Sequence, residues 1–339
     1  MKIKNNSVKY SNGLTLVELM VAMVISGILM LGIVQIFSTN SRSYKVQDEN
    51  ARMQESGRYA FNTLMTDIRR AGYLGGNANI EDITGSLGVA TPTRTCDSAT
   101  TNWGRMIQRG FYGLNDGNTD TDADSQTVDY TGCIPNADYL RGDIIVTRYT
   151  KGNALPAATE AATLAANPNR LYIRNSLFVG RLFKGSDEAS GTNEVTEIPN
   201  SVHELSASAY YVGPSGRTCN ADNSIAIPAL FREVLDSSGL PIKEEVANGI
   251  ENIQFQYGMD SNGDLSVNQY YNANQISNNE AITPNWTQVV TVRLWVLVRA
   301  DCPTNNYTNT KTYAMGDNPY TVNDNFKRQL YSTTVAARN

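Results

Sequence analysis

Apolar positions are spread very unevenly along this chain. From Leu14 to Phe37 almost every residue is apolar, in the run "LTLVELMVAMVISGILMLGIVQIF", and Glu18 is the one ionisable side chain among these 24 residues. As a helix the run rises roughly 36 Å, enough to cross a hydrocarbon core of about 30 Å with some tilt. Beyond Phe37 the text turns polar, yet Val46, Met53, Ala60, Phe61, Leu64, Met65 and Ile68 recur at spacings near three, four and seven. That period marks one apolar stripe and predicts that the same helix runs on. It should stop at "RRAGYLGG", where Arg69 and Arg70 suit the negative end of the helix dipole and Gly72, Gly75 and Gly76 supply the conformations that end a helix. A helix from Leu14 to Ala71 would be a rod of roughly 87 Å.

Further on, the period changes from helical to alternating. Residues 142 to 149, 177 to 183, 205 to 212, 250 to 257 and 288 to 298 are rich in β-branched and aromatic residues bounded by Gly, Asn, Asp and Pro, which predicts strands. In the last of them Val290, Val292, Leu294, Val296 and Val298 alternate with Thr291, Arg293, Trp295 and Leu297, as expected of a strand with one wholly apolar face. A long helix followed by strands implies an α+β fold, with the helix laid across an antiparallel sheet. Residues 77 to 135, dense in Gly, Thr, Asn and Asp, read as long loops. The piece "LPAATEAATLAANP" reads as either a short helix or a mobile connection. There is no internal repeat, and no boundary divides the globular part.

Charge and cysteine content place the two halves. Lys2, Lys4 and Lys9 precede the apolar run with no acid among them, so the positive-inside bias keeps the N-terminus in the cytoplasm and sends the rest outward. In a bacterium that is the periplasm. Four cysteines lie far apart, with no CxxC pair and one histidine in the chain, a count that suits two disulfides in an oxidising compartment better than zinc. The net charge is −5, and without residues 1 to 13 it becomes 25 basic (28 less 3) against 33 acidic, or −8. A bulk attraction to nucleic acid is not indicated.

Glu18 separates the readings of the apolar run. A secretory signal peptide has a shorter apolar region and a small-residue cleavage site. A plain anchor explains the length but not a carboxylate, which is costly in a membrane helix unless it meets a partner. The residues "GLTLVEL", Gly13 to Leu19, resemble the leader junction of type IV prepilins: a short basic leader, a glycine, then Thr-Leu-Val-Glu-Leu and a long apolar helix. The resemblance implies that a prepilin peptidase in the inner membrane cuts after Gly13 and methylates the new amine of Leu14. It implies that Glu18 faces the N-terminal amine of a neighbouring subunit in the filament, a pairing far stronger in low dielectric than in water. It divides the chain into a cytoplasmic leader, 1–13, a transmembrane or filament-core helix, 14–37, the periplasmic part of the helix, 38–71, and a β-rich pilin head, 72–339. With no proline before Pro92, Gly27 and Gly32 are the expected places for bending or melting of the helix.

The segments "QESGRYAFNTLMTDIRRAGYLGG", "GIENIQFQYGMDSNGD", "VVTVRLWVLVRA" and "YSTTVAARN" are, in this order, similar to the PilW family of minor pilins. Membership would imply a small complex with other minor pilins that primes pilus assembly, contacts the major pilin, and carries a large PilY-type adhesin at the tip. Inner-membrane lipid would surround the helix before assembly. Two alternatives stand beside this one. Type II secretion pseudopilins share the leader and Glu18, and the head could instead be a tip-located module binding a surface or, through a patch such as Arg105 with Arg109, DNA.

Little else in the chain carries chemistry. Cys96 with Cys133 and Cys219 with Cys302 is the preferred pairing, because each bridge closes a loop-rich stretch without crossing the other, although three connectivities are possible. "DSNGD" places oxygens at Asp260, Asn262 and Asp264, the alternate spacing of a calcium loop, but Leu265 and Tyr271 stand where an EF-hand needs glycine and glutamate. Asn262-Gly263 is equally a hairpin turn signal, and the hairpin is the preferred reading. "DGNTDTDADSQTVD", Asp116 to Asp129, reads as a solvated loop. GxSxG, GxxxxGK[ST] and HExxH are all absent, and His203 reads as structural. No catalytic residue and no cofactor is expected, with calcium at the 260–264 loop as the one alternative.

Overall fold

The computed structural model describes residues 15–76, 80–85, 96, 101–125, 127–188, 195, 198–220, 222–279 and 281–337. Gly13 and Leu14 lie outside them. The chain divides into two compact units, Met1–Ala51 and Arg52–Asn339. Helix α1 is continuous from Leu16 to Arg70 and unbroken at Gly27 and Gly32. Its division therefore falls at Ala51 rather than at the end of the apolar run or of the helix, because from Met53 onward its stripe is buried.

In the second unit, Met53, Gly57, Ala60, Leu64, Asp67 and Ile68 of α1 are buried, and Phe61 and Met65 pack beside them at its margin. The stripe read from the sequence is the packed face, with Val46 only half-buried. Gly57 lets the helix come close to the sheet. A Cβ built there would lie 2.5 Å from Cε2 of Tyr331 and 2.9 Å from Cγ2 of Val298. The end of the helix is fastened to the next layer by backbone bonds, from the Gly72 N–H to the Arg148 carbonyl at 2.9 Å and from the Thr150 N–H to the Tyr73 carbonyl at 2.7 Å.

The strands are β1 (Ile83–Thr84), β2 (Phe111–Leu114), β3 (Thr119–Thr121), β4 (Thr127–Asp129), β5 (Arg141–Thr150), β6 (Leu171–Asn175), β7 (Gly180–Lys184) and β8 (Ser201–Cys219). They continue with β9 (Asp222–Leu235), β10 (Pro241–Asn248), β11 (Ile250–Met259), β12 (Gln269–Tyr271), β13 (Val289–Arg299), β14 (Thr312–Tyr313), β15 (Tyr320–Thr321) and β16 (Arg328–Ala336). A larger sheet runs β1-β7-β6-β8-β5-β2, with β9 on β8 and β10 on β9, and a smaller one runs β12-β11-β13-β16. All pairings are antiparallel apart from the short β1–β7 pair. The long strand β8 is shared along its length: Ser201 to Glu204 pair with β6, and Leu205 onward with β5. The chain passes from one sheet to the other at Gly249, whose φ of +74° few side chains tolerate and whose Cβ would meet the Arg299 carbonyl at 3.0 Å.

The fold is thus α+β, a long N-terminal helix on antiparallel sheets. Several sequence expectations change in detail. Residues 177 to 179 form the turn before β7 and not its start, because the Ser176 hydroxyl accepts the Phe178 and Val179 N–H groups and closes the chain on itself. In β13 a register shift opposite Gly258 and Met259 puts Val289 in the core and leaves Val290 half-buried, while Leu297 is buried from the other face. Residues 77 to 135 are not simply loops, since Trp103, Ile107, Phe111, Leu114 and Tyr130 are core residues. The Ala-rich piece carries a helix, Glu160–Ala166.

The run from Asp116 to Asp129 is likewise not a solvated loop. It forms the β3–β4 hairpin and is docked: Asp122 is buried and bound by the Asn278 amide, and Asp124 accepts the Ser277 hydroxyl at 2.6 Å.

Candidate functional site

The first unit presents an apolar helix to its surroundings. Every residue from Leu16 to Phe37 is exposed, and the large apolar side chains keep 49 to 75% of their surface open. Side chains of this kind gain roughly 1.5–3 kcal/mol each on leaving water, so a surface of this extent requires lipid or other helices around it. The segment is long and apolar enough to cross a membrane.

Glu18 sits in the first turn of this helix. Its Oε2 accepts both the Thr15 N–H and the Thr15 hydroxyl at 2.9 Å, while the Glu18 N–H donates to Thr15 Oγ1 at 3.3 Å. This is a reciprocal cap, which satisfies donors that a helix end leaves open. The second oxygen, Oε1, has no partner among the described residues. One oxygen of this carboxylate therefore fixes its own helix end, and the other stays open among the described residues. Gly27 and Gly32 meet nothing within 4 Å at the Cβ position.

The head holds its remaining sequence candidates differently. Cys96 is bonded to Cys133 and Cys219 to Cys302, the non-crossing pairing. Asp260 does not splay its oxygens around a cavity: they accept the N–H groups of Gly263 and Leu265 at 2.7 Å and of Asn262 at 3.1 Å. Asn262 and Ser266 bind the Asp264 carboxylate. The loop is a self-capped connection in the β11–β12 hairpin, and among the described residues no group of three or more His, Cys, Asp and Glu side chains is placed to hold a metal ion.

Arg105 and Arg109 are not a surface basic patch. Arg109 is buried and donates to Oδ1 and the carbonyl of Asn278 at 2.6 and 2.7 Å, and Arg105 reaches Asp187 at 4.0 Å. His203 is buried between the Ser201 hydroxyl, 3.0 Å from Nε2, and the Lys151 carbonyl, 2.9 Å from Nδ1, so Nδ1 carries the hydrogen.

Three features that support the head were not foreseen. Asp67, on the buried face of α1, accepts the hydroxyls of Tyr149 at 2.8 Å and Tyr210 at 2.6 Å, which hangs the helix from both β5 and β8. Burial, with Asp67 beside it, pushes the Tyr149 phenol up to about 12. Its signal in the sequence was an aspartate three residues after Leu64, on the apolar stripe. Second, Arg328 on β16 binds Glu251 on β11 and Asp324, with Arg328 and Glu251 both almost wholly inaccessible. Burial opposes the Arg328 charge, but its bonds to Asp324 and Glu251 outweigh it and raise its pKa. Third, Arg148 is fully buried over the Trp103 ring and donates to the Trp103 and Arg109 carbonyls, so burial lowers its pKa. The Arg328–Glu251 pair and the partners of Arg148 could not be read from sequence, because they join residues more than 35 positions apart.

Residues 209–339 match the family described as Type IV Pilus-assembly protein W, and residues 8–34 match the Prokaryotic N-terminal methylation motif. Among solved structures, the chain is similar to a type IV-like pilin, TTHA1219, from Thermus thermophilus, at 12% identity and a TM-score of 0.37, covering 84% of this chain and 96% of that one. No curated protein matches the chain significantly. The methylation motif lies over the exposed apolar helix and the assembly-protein match over the strands from within β8 to β16, and together they mark this chain as type IV pilin-like, with its C-terminal part similar to the PilW family.

Proposed function

We propose that this protein is a minor pilin that helps to initiate the type IV pilus from a tip complex. In this reading prepilin peptidase cuts after Gly13 and methylates Leu14. The inner membrane holds the helix until assembly, with the N-terminus cytoplasmic and the head periplasmic. Extraction then exchanges lipid for the helices of the major pilin and other minor pilins, and the head stays at the tip, where a PilY-type adhesin would join it. The carrying observation is the helix with its apolar first half entirely exposed and one carboxylate in its first turn. In low dielectric that open oxygen attracts the amine of a neighbouring helix strongly. Twitching, adhesion or DNA uptake would follow from such a pilus. Arg109 offers DNA no free charge, which disfavours the nucleic-acid reading of that patch.

The experiment is intact-mass and N-terminal analysis of membrane-extracted protein, made with and without prepilin peptidase. A chain starting at N-methylated Leu14 only when the peptidase is present is the expected result. A chain that keeps Met1 or is cut elsewhere would sink the proposal. The type II secretion alternative is separated by deletion of the gene: loss of twitching with intact secretion assigns the pilus.

A further inference from the structure

Beyond assembly, the head carries a groove that the pilin role does not use. It lies where α1 ends, between Arg69, Arg70 and Tyr73 on one side and Tyr149 to Asn153 on the other, with Leu155 and Glu204 at its margin, and its volume is about 560 Å³. Ligand pockets commonly fall between about 300 and 1,000 Å³. The walls are fixed in advance. Thr150 is bonded to the Tyr73 carbonyl through both its N–H and its hydroxyl, at 2.7 and 3.2 Å. The Lys151 and Leu155 N–H groups donate to the Glu204 and Val202 carbonyls at 2.8 Å.

The charge of the groove runs against that of the molecule. In a chain of net charge −5, three cations, Arg69, Arg70 and Lys151, meet one facing carboxylate, Glu204. Lys151 binds Glu204 at 2.9 Å, and Arg170 also engages it at 3.1 Å. Arg69 has no ion pair among the described residues, and Arg70 lies over the Tyr149 ring at 5.9 Å. Asp67 behind the wall is occupied by two tyrosine hydroxyls. The surplus is therefore positive, and guanidinium groups present paired donors that match a carboxylate.

The remaining lining decides what carries that carboxylate. A bare oxyanion would need neither the volume nor the tyrosine rings. Tyr73 offers apolar ring surface, backed by the buried Tyr149, while Asn153 and Glu204 bring donors and acceptors to the rim, a set suited to hydroxyl groups on a ring. We infer that this groove binds an acidic saccharide, with a uronate carboxylate on Arg69 and Arg70 and a sugar ring against Tyr73. This inference does not depend on the chain entering a pilus.

The test is calorimetric titration of the full detergent-solubilised chain with trigalacturonate, maltotriose and inorganic phosphate at low and at physiological salt. The expected result is saturable binding of trigalacturonate, at least 10-fold weaker in Arg69→Gln/Arg70→Gln and weakened again in a separate Lys151→Ala variant, with maltotriose not bound and phosphate a poor competitor. Because these side chains are exposed, the variants should keep the wild-type melting temperature. Lys151→Ala gives an independent reading if the double variant misfolds. Phosphate competing as well as trigalacturonate would reduce the groove to a simple anion site and overturn the proposal. No binding of trigalacturonate at low salt, or equal binding by both variants, would also overturn it.

Discussion

Glu233 is a carboxylic acid placed where ionisation is costly. It is 3% exposed, receives the Tyr211 hydroxyl at 3.0 Å, and burial pushes it up to about 7 against the pull of Tyr211 and Lys243, with Asp138 adding repulsion. Burial also raises Asp143, although the Asp116 and Phe255 N–H groups bind its oxygens at 3.0 and 2.7 Å. Each of these groups holds its proton more tightly folded than unfolded. Between about pH 4.5 and 7 the folded chain then binds more protons at Glu233, and its stability falls as pH rises through that window. We expect urea unfolding in detergent to show a more stable head at pH 5 than at pH 8, with Glu233 contributing about 3 kcal/mol at most. Glu233→Gln should flatten that dependence. An unchanged slope in the variant would mean that Glu233 stays charged in the fold.

At the scale of elements, the contact between α1 and the smaller sheet turns on one missing side chain. Alanine in place of Gly57 would gain about 1 kcal/mol of helix propensity. Its Cβ would nevertheless press on Tyr331 and Val298 at separations that real Cβ atoms do not tolerate. Overpacking of that kind costs typically 1–3 kcal/mol, so Gly57→Ala should lower the urea midpoint and Gly57→Leu should lower it further. A Gly57→Ala variant more stable than wild type would show that Tyr331 can swing away at no cost.

The same helix illustrates what sequence can and cannot give. Its stripe, its end and the spacing of Met53, Ala60, Leu64 and Ile68 follow from period alone, since a helix face is a local property. Strands β5, β11 and β13 were legible for a similar reason. Strands β9, β10 and β16 were not singled out as strands, because each mixes charged residues into an edge or a half-buried face where alternation is weak. Glu18 was legible as a carboxylate out of place, whereas its cap on Thr15 and the open second oxygen needed coordinates. The groove beside Arg69 was invisible, since it joins a helix end to a strand about 80 residues away.

For the whole molecule, the two units should fail independently. Glu18 belongs to the unit that ends at Ala51, and the hydrophobic core, both disulfides and the ion network lie beyond it. Glu18→Ala should therefore leave the denaturant midpoint of the head where it was, while the number of surface pili in cells carrying it falls. Normal piliation in that strain would remove the docking role from Glu18, and a shifted midpoint would mean that the two units are energetically coupled.

The disulfides also bear on mechanics. Cys96–Cys133 and Cys219–Cys302 span 37 and 83 positions of chain. At roughly 3.3–3.6 Å per extended residue, they enclose about 130 and 290 Å of contour. Tension applied to the two ends of the chain cannot draw those lengths out while the bonds are intact. A subunit loaded by a retracting fibre would then yield by a shorter stroke, with more than a third of its chain held out of the line of force.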